Sequence, residues 1–236
     1  MWRFEEYVER SRRVSSVLEL GRLYSSLIKI EGYENCVLVS LRGRKVGRVG
    51  WVQVPAGYDD AYVQNRWERI DPVVACSLRA TRPFFWSDVV EQTELSEAQV
   101  KFIEECKGLR VQSGVVFPFH GPGHQLDIMS ISRRTSDVPD KNRIGLLHAI
   151  SAQTWNRYLE LSDEKLFLDS AARLTERELE VMRWCKEGKS RLEIGEIMSI
   201  SSKTVEFHLR NVMDKLGAKN QVTAVVMAIQ RGLIEL

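Results

Sequence analysis

The chain has few of the residues that mark secreted or redox scaffolds. Its 236 residues include only 4 cysteines, Cys36, Cys76, Cys106 and Cys185, scattered with no C-x-x-C spacing. That density excludes a disulfide framework and leaves reduced thiols in or near a core. No apolar run approaches the ~20 residues that a membrane span needs. The opening MWRFEEYVERSRR mixes acids with bases and lacks the apolar stretch of a secretory signal, so a cytoplasmic protein without a membrane partner is expected. No G-x-S-x-G elbow, phosphate-binding loop or dinucleotide glycine pattern occurs, and an enzyme is not expected. His120 and His124 bracket a Gly-Pro-Gly turn, but no third ligand is near in sequence. Zinc sites use three or four protein ligands, so no metal is expected. Internal repeats and low-complexity tracts are absent as well.

A strong charge of either sign is also missing. The net charge is +2, and residues 170–236 hold 11 Lys and Arg against 9 Asp and Glu, so the whole excess lies there. This agrees with nucleic-acid binding without establishing it, because affinity depends on clustering opposite phosphates. The glutamates Glu91, Glu94, Glu97, Glu104 and Glu105 read as a solvated acidic surface.

What is present is clearest at the C-terminus. Between Leu174 and Leu236 lie four short helical patterns separated by start and stop signals. Thr175 with Glu178 and Ser190 with Glu193 are capping boxes, and Gly188 closes the first helix. The second helix runs to about Met198, and Ser199-Ile200-Ser201 is long enough only for a tight turn. A third helix starts near Lys203 with Ser202 as its cap and stops at Gly217. Asn220 caps a fourth, which ends at Gly232. Within the third, Val205, Leu209, Val212 and Leu216 form one apolar stripe. Lys203, Glu206, Phe207, Arg210, Asn211 and Asp214 occupy the other face. Two helices joined by a three-residue turn, the second basic and amide-rich outward, follow the helix-turn-helix plan, whose second helix fits the DNA major groove. A plain four-helix bundle with a solvated face stands level with it on periodicity alone.

The first two thirds read differently. Residues 2–31 carry regular apolar insertions, suggesting one or two amphipathic helices broken near Gly21 or Gly32. Cys36–Leu41 and Val46–Val54 are β-branched strands flanking an Arg42-Gly43-Arg44 turn. Tyr58–Arg69 reads as one helix, ended by Asp71-Pro72, with another from Val73 to Leu78. Pro83-Phe84-Phe85-Trp86 reads as extended, and Ser96–Gly108 as helix. Gly114–Phe119 and Leu126–Arg133 pair around a His120–Gly123 turn, and Asn142–Leu161 is a long helix. The expected class is α+β: an N-terminal α-β-α sandwich around a mainly antiparallel sheet, with a C-terminal all-α four-helix helix-turn-helix domain. The chain between Cys36 and Arg133 is ample to enclose a cavity. Tyr58 and Tyr62 share a helix face, and Asp71, Trp86 and Ser130 could join them around a small amide-bearing molecule. Each also has a quieter role, as core aromatic, turn cap or strand hydroxyl.

The C-terminal block resembles the DNA-binding domain of LuxR-type transcription regulators. It matches at LTERE, W-C-x-E-GKS, EI, IS-x-KTVEFHL-x-N, KL and the final GLI. More loosely, Tyr58-x3-Tyr62-x8-Asp71-Pro72, Pro83-Phe84-x-Trp86 and Ser113-Gly114 leading to Pro118 resemble the acyl-homoserine-lactone-binding domain of the same regulators, over about Arg3 to Leu161. The resemblance implies a binding and dimerisation domain over 1–162, a linker over 163–173 and the helix-turn-helix domain over 174–236. It implies that Asp71 accepts the ligand's amide N–H, that Tyr62 bonds the acyl carbonyl with help from Ser130, and that Trp86 packs on the lactone ring. Gly114 would let backbone and ligand approach closely. One departure stands out: the family usually has Trp where this chain has Tyr58, and that indole bonds the lactone carbonyl.

A quorum-sensing activator working as a homodimer is therefore expected, paired through the Asn142–Leu161 helix. It would need no cofactor beyond its small-molecule signal, an N-acyl-homoserine lactone. Its partners would be double-stranded DNA at a two-fold-symmetric promoter site and RNA polymerase. Lys203 and Thr204 would contact phosphates, Arg210 and Asn211 would read bases, and Glu206 would accept from a cytosine amino group. The alternative kept open is a regulator of the same family answering to a different small molecule or to none.

Overall fold

The structure, a computed structural model, describes residues 4–42, 45–121, 125–137, 140–162 and 174–235. The chain divides into two compact units, the first holding the described residues up to Ser162 and the second those from Leu174 onward. The expected linker 163–173 and the turn residues Gly43, Arg44 and Pro122 to His124 lie outside the described residues.

In the first unit, α1 (Phe4–Arg13) and α2 (Val17–Ile30) are separated at residues 14–16, where Ser16 caps α2 by accepting from the Glu19 N–H. Gly21 does not break the helix. It lies within α2, where a Cβ would meet the Trp51 indole at 3.2 Å, so it is there for close packing. Gly32, in the left-handed region at φ 81°, follows the end of α2.

Strands β1 (Asn35–Arg42), β2 (Lys45–Gln53), β3 (Phe84–Phe85), β4 (Ser113–His120) and β5 (Gln125–Arg133) form one antiparallel sheet in the order β2-β1-β5-β4-β3. Both hairpins expected from the sequence are present. Alternation splits the sheet's side chains between two faces. Cys36, Leu38, Val115, Phe117, Met129 and Ile131 pack under α1, α2 and α7 (Ile144–Leu161). Leu41, Val116, Leu126 and Ile128 face the opposite layer. Tyr24 and Ser151 share a 2.8 Å hydrogen bond, and Tyr7 bonds Thr154, so α7 is tied to the two N-terminal helices. The apolar side of α7, with Leu147, Ile150, Thr154 and Tyr158, is thereby consumed within its own domain.

The opposite layer contains α3 (Tyr58–Gln64), a single 3-10 turn (Trp67–Arg69), α4 (Pro72–Ser77), α5 (Trp86–Gln92) and α6 (Glu97–Gly108). Two expectations fail here. The Tyr58–Arg69 helix is broken after Gln64, and Arg66 takes left-handed dihedrals (φ 52°). That reversal brings Trp67 into a core with Phe102 and Cys106, and the burial outweighs local helix preference. Trp86 is not extended but opens α5, where Asp88 accepts the Phe85 N–H at 2.9 Å.

The second unit holds α8 (Glu176–Lys186), α9 (Arg191–Met198), α10 (Ser202–Leu216) and α11 (Gln221–Gln230). Both capping boxes form, and Asn220 caps α11. The cap of α10 is Ser201 rather than Ser202: its hydroxyl accepts from the Thr204 N–H at 3.0 Å. Between α9 and α10, Ser199 is left-handed, and a Cβ on Gly195 would stand 2.7 Å from the Ile200 carbonyl, so only glycine permits so tight a turn. Val205, Leu209, Val212 and Leu216 are buried against Val181, Met182, Ile194 and Ala224. Among the described residues no helix is long and apolar enough to cross a membrane.

Candidate ligand pocket and nucleic-acid interface

A cavity of about 540 Å³ lies between the sheet and the layer of α3 to α6. One wall is the sheet face opposite α7. Its width comes from two irregularities in β2: Leu38 pairs with Trp51 but Val39 with Val49, and Ser40 pairs with Arg48 but Leu41 with Val46. Gly50 and Gly47 are the extra residues, each a bulge that shifts the alternation by one. As a result Val46, Val49 and Val52, three apart in sequence, all stand opposite Val37, Val39 and Leu41 and line the cavity together. The three β2 valines are about half exposed, so the cavity opens at this edge.

The other wall is aromatic. The rings of Tyr58 and Tyr62 lie 5.9 Å apart, Tyr62 meets Trp67 edge-on at 6.0 Å, and Trp67 meets Phe102 at 5.1 Å. Asp71 is at the start of α4. Its Oδ1 accepts the Val73 N–H at 2.8 Å, the geometry of a helix cap, and its Oδ2 accepts the Tyr62 hydroxyl at 2.9 Å. The carboxylate is surrounded by protein, and the surface it keeps belongs to the cavity wall. Burial raises its pKa above the usual 3.8, against the downward pull of Tyr62 and the two backbone N–H groups. Burial, with Cys106 and Asp71 adding to it, holds Tyr58 far above the normal phenol range. Burial next to Asp71 does the same for Tyr62. Both phenols are therefore hydrogen-bond donors at any physiological pH. The Cys106 thiol, pushed up to about 12 by burial, approaches the Tyr58 oxygen at 3.9 Å. That contact is weak and leaves the Tyr58 hydroxyl proton free for an acceptor.

On α10, the side chains of Lys203, Glu206, Phe207, Arg210 and Asn211 project away from the buried stripe. Glu206 lies 3.6 Å from Arg191 of α9 and 3.7 Å from Arg210. The outward face of α10 thus carries Lys203 and Arg210 together with Asp214 and Glu206, the latter standing between two guanidinium groups.

Two family models match the chain. Residues 16–161 match the autoinducer binding domain, and residues 172–228 match the bacterial regulatory proteins of the luxR family. The transcriptional activator protein BjaR1 of Bradyrhizobium diazoefficiens is 32% identical over 180 residues, which are 76% of this chain and 73% of that protein. The chain belongs to the LuxR family of transcription regulators. The quorum-sensing-dependent regulator RpaR of Rhodopseudomonas palustris is 29% identical over 98% of the chain and 94% of its own length. A crystal structure of Escherichia coli SdiA superposes with a TM-score of 0.71 at 25% identity, covering 97% of this chain and 96% of that one. SdiA in complex with octanoyl-rac-glycerol superposes with the same score at 21% identity and shares the fold.

In this LuxR-family regulator, Tyr58, Tyr62, Asp71, Trp86, Gly114 and Ser130 all line one cavity. Two of these six, and Glu206 on α10, have neighbours that the sequence did not indicate. Tyr62, expected to face a ligand carbonyl, donates to Asp71. Gly114, expected to admit the ligand, admits Trp86 instead: a Cβ there would stand 2.7 Å from the indole Cε2 and 2.6 Å from the Ile131 carbonyl. Glu206, expected to accept from a cytosine amino group, lies within 3.6 and 3.7 Å of two arginines. Ser130 lies on β5 between Val37 and Val116 and faces the cavity. Lys203 is exposed, and the Thr204 hydroxyl is 2.8 Å from that of Ser201. Sequence reasoning missed Trp67, Phe102, Cys106 and the β2 valines. For Phe102 and Cys106 a signal existed, since their i, i+4 spacing places them on one face of α6.

Proposed function

We propose that this regulator binds an N-acyl-homoserine lactone in the cavity of its N-terminal unit and, as a cytoplasmic homodimer, a two-fold-symmetric promoter site through α10, acting as an activator that engages RNA polymerase. The observation that carries the proposal is a largely apolar cavity of about 540 Å³ with the partly buried carboxylate of Asp71 at its aromatic end, beside Tyr62. A carboxylate taken from water is costly unless hydrogen-bonded; Tyr62 already donates to Oδ2, and a ligand amide N–H is a donor that can take its place. On binding, that N–H takes over Asp71 Oδ2. Tyr62 is released to donate to the acyl carbonyl. The Tyr58 hydroxyl, shorter in reach than the indole usual in the family, donates to the lactone carbonyl, with Ser130 assisting from the sheet. Trp86, held against Gly114, gives the ring a flat apolar surface. The acyl chain lies along the valines of β1 and β2, which accept a long or branched chain because their open edge sets no end wall.

Ligand bound in the core stabilises the fold by mass action, about 2.7 kcal/mol at a hundredfold excess over Kd, which couples signal to function. Pairing of subunits would use the outward side of α7, where Gly145, Asn156 and Glu160 are exposed, since the apolar side is already covered. Lys203 and Thr204 would hold phosphates, while Arg210 and Asn211 read bases.

A second reading, a signal with a different head group, is favoured by Tyr58 itself. The octanoyl-rac-glycerol held in one SdiA complex has no amide N–H. Binding should be compared for acyl-homoserine lactones of short and long chain and for octanoyl-glycerol, by thermal denaturation and by retardation of promoter DNA. Stabilisation by the lactones and not the glycerol ester supports the proposal; the reverse order assigns the pocket to esters.

A further inference from the structure

We infer that Phe207 reads a thymine methyl group in the major groove, adding an apolar contact to the polar base readers of α10. The ring is 60% exposed, although every member of the helix's apolar stripe is buried. At 100° per residue, Phe207 projects about 10° from the direction opposite the mean of Val205, Leu209, Val212 and Leu216, so it crowns the outward ridge. Lys203 and Arg210 flank it one turn away on either side, and its one ring neighbour among the described residues is His208 at 5.8 Å, edge-on. The described residues of the domain leave most of its surface open.

The flanking cations select a polyanion as the covering partner, and the fold's helix-turn-helix supplies the groove that would receive the helix. The floor of that groove offers donors, acceptors and a single apolar group, the C5-methyl of thymine. A phenyl ring at the centre of the inserted ridge is matched by that methyl and by no other groove atom. The inference rests on α10 being the groove-entering helix, so its test must separate the two failures.

Full-length protein, produced with acyl-homoserine lactones supplied, is used to select a binding duplex from a random pool. Each thymine of that duplex is then replaced singly by uracil, which removes only the methyl. Wild type should lose roughly fourfold in affinity at one or two positions, the equivalent of the ~0.8 kcal/mol for burying one methyl. Phe207→Ala should bind the parent duplex correspondingly more weakly and be indifferent to uracil at those same positions, while Phe207→Leu keeps part of the sensitivity. Equal uracil costs in wild type and Phe207→Ala at every position overturn the inference. So does a Phe207→Ala loss that is the same for all sequences, which would assign the ring to a protein contact. If Arg210→Ala also leaves binding unchanged, the groove-entering role of α10 falls with it; if Arg210→Ala binds weakly, only the methyl contact falls.

Discussion

Replacing Asp71 by asparagine separates its two jobs, because the residue caps α4 with one oxygen and faces the cavity with the other. Asparagine has one carbonyl oxygen. Kept on the Val73 N–H, it caps about as well as aspartate does. Its amide NH2 then points where Oδ2 stood, towards Tyr62 and the ligand site. The unliganded fold loses the Tyr62 donation to a charged oxygen, worth about 1.5–3 kcal/mol, and is relieved of a desolvated charge of comparable cost, so its stability should stay within about 1 kcal/mol of wild type. Ligand binding is not compensated in this way. A hydrogen bond to a charged acceptor is worth about 1.5–3 kcal/mol, and here a donor replaces the acceptor, so affinity for an acyl-homoserine lactone should fall by about 10- to 150-fold.

The same carboxylate predicts a pH dependence. In the unliganded fold its pKa is raised above 3.8 by burial, so ionisation costs stability, which is greatest in acid and is lost as pH rises from 3.8 through the raised value. A ligand N–H favours the ionised form and lowers that pKa. Affinity is therefore full above the raised value and declines by up to about tenfold per pH unit below it. Titration calorimetry across that range should show the slope in wild type and none in Asp71→Asn. Wild-type affinity insensitive to acid, or a variant binding within about twofold of wild type, would refute the account of Asp71 as the amide acceptor.

Two further perturbations test the scaffold. Glu178 is buried at the start of α8, where it closes the capping box on Thr175 and accepts from Lys215 of α10 at 2.6 and 2.9 Å. Burial pushes its pKa up, but Lys215 and the Thr175 N–H pull harder, leaving it below the usual 4.5. Its contribution is thus present above pH 4.5 and lost as pH falls through the folded value. Glu178→Gln should cost about 1–2 kcal/mol, below the range for a fully buried pair because the Lys215 side chain is 34% exposed, and hydrogen exchange of α8 and α10 should speed accordingly and lose this acid-dependent term. Gly114→Ala should cost about 2–3 kcal/mol in urea denaturation and shift the Trp86 fluorescence, because the Ile131 carbonyl cannot retreat from a Cβ. Unchanged stability would show that β4 and β5 can separate there.

How much was legible follows from how local each cause is. Every helix of the second unit was readable because caps, stripe and terminating glycines act within a turn of the residues they govern; only the α10 cap slipped, by one serine in a Ser-Ser pair. The two β-hairpins were readable from β-branched runs. The break at Arg66 was not, because it exists to bury Trp67 beside Phe102, 35 residues further on, which no window around Arg66 contains. Trp86 at the head of α5 is similar: its place depends on a missing Cβ at Gly114, on a strand distant in sequence.

The pocket repeats this division between local and distant causes. Identities of its polar residues were legible through the family resemblance; its shape was not. The segment V-G-R-V-G-W-V repeats valine every third residue, a period that fits neither strand nor helix. Taken as a plain strand it would send Val49 to the face opposite Val46 and Val52. Glycines at 47 and 50 resolve the conflict, since each bulge absorbs one residue and returns the next valine to the same face. Glycine at 50 also serves close packing: a Cβ would press on the Leu38 side chain at 2.8 Å and on Tyr158 at 3.1 Å across the sheet, and one of them would have to shift. Gly50 therefore helps to build the apolar wall on one side and admits the α7 core on the other. The signal was present in the sequence, since an isolated glycine inside a strand pattern marks a bulge. Its meaning required knowing which face lined the cavity and which held α7, and only the pairing with β1 supplies that.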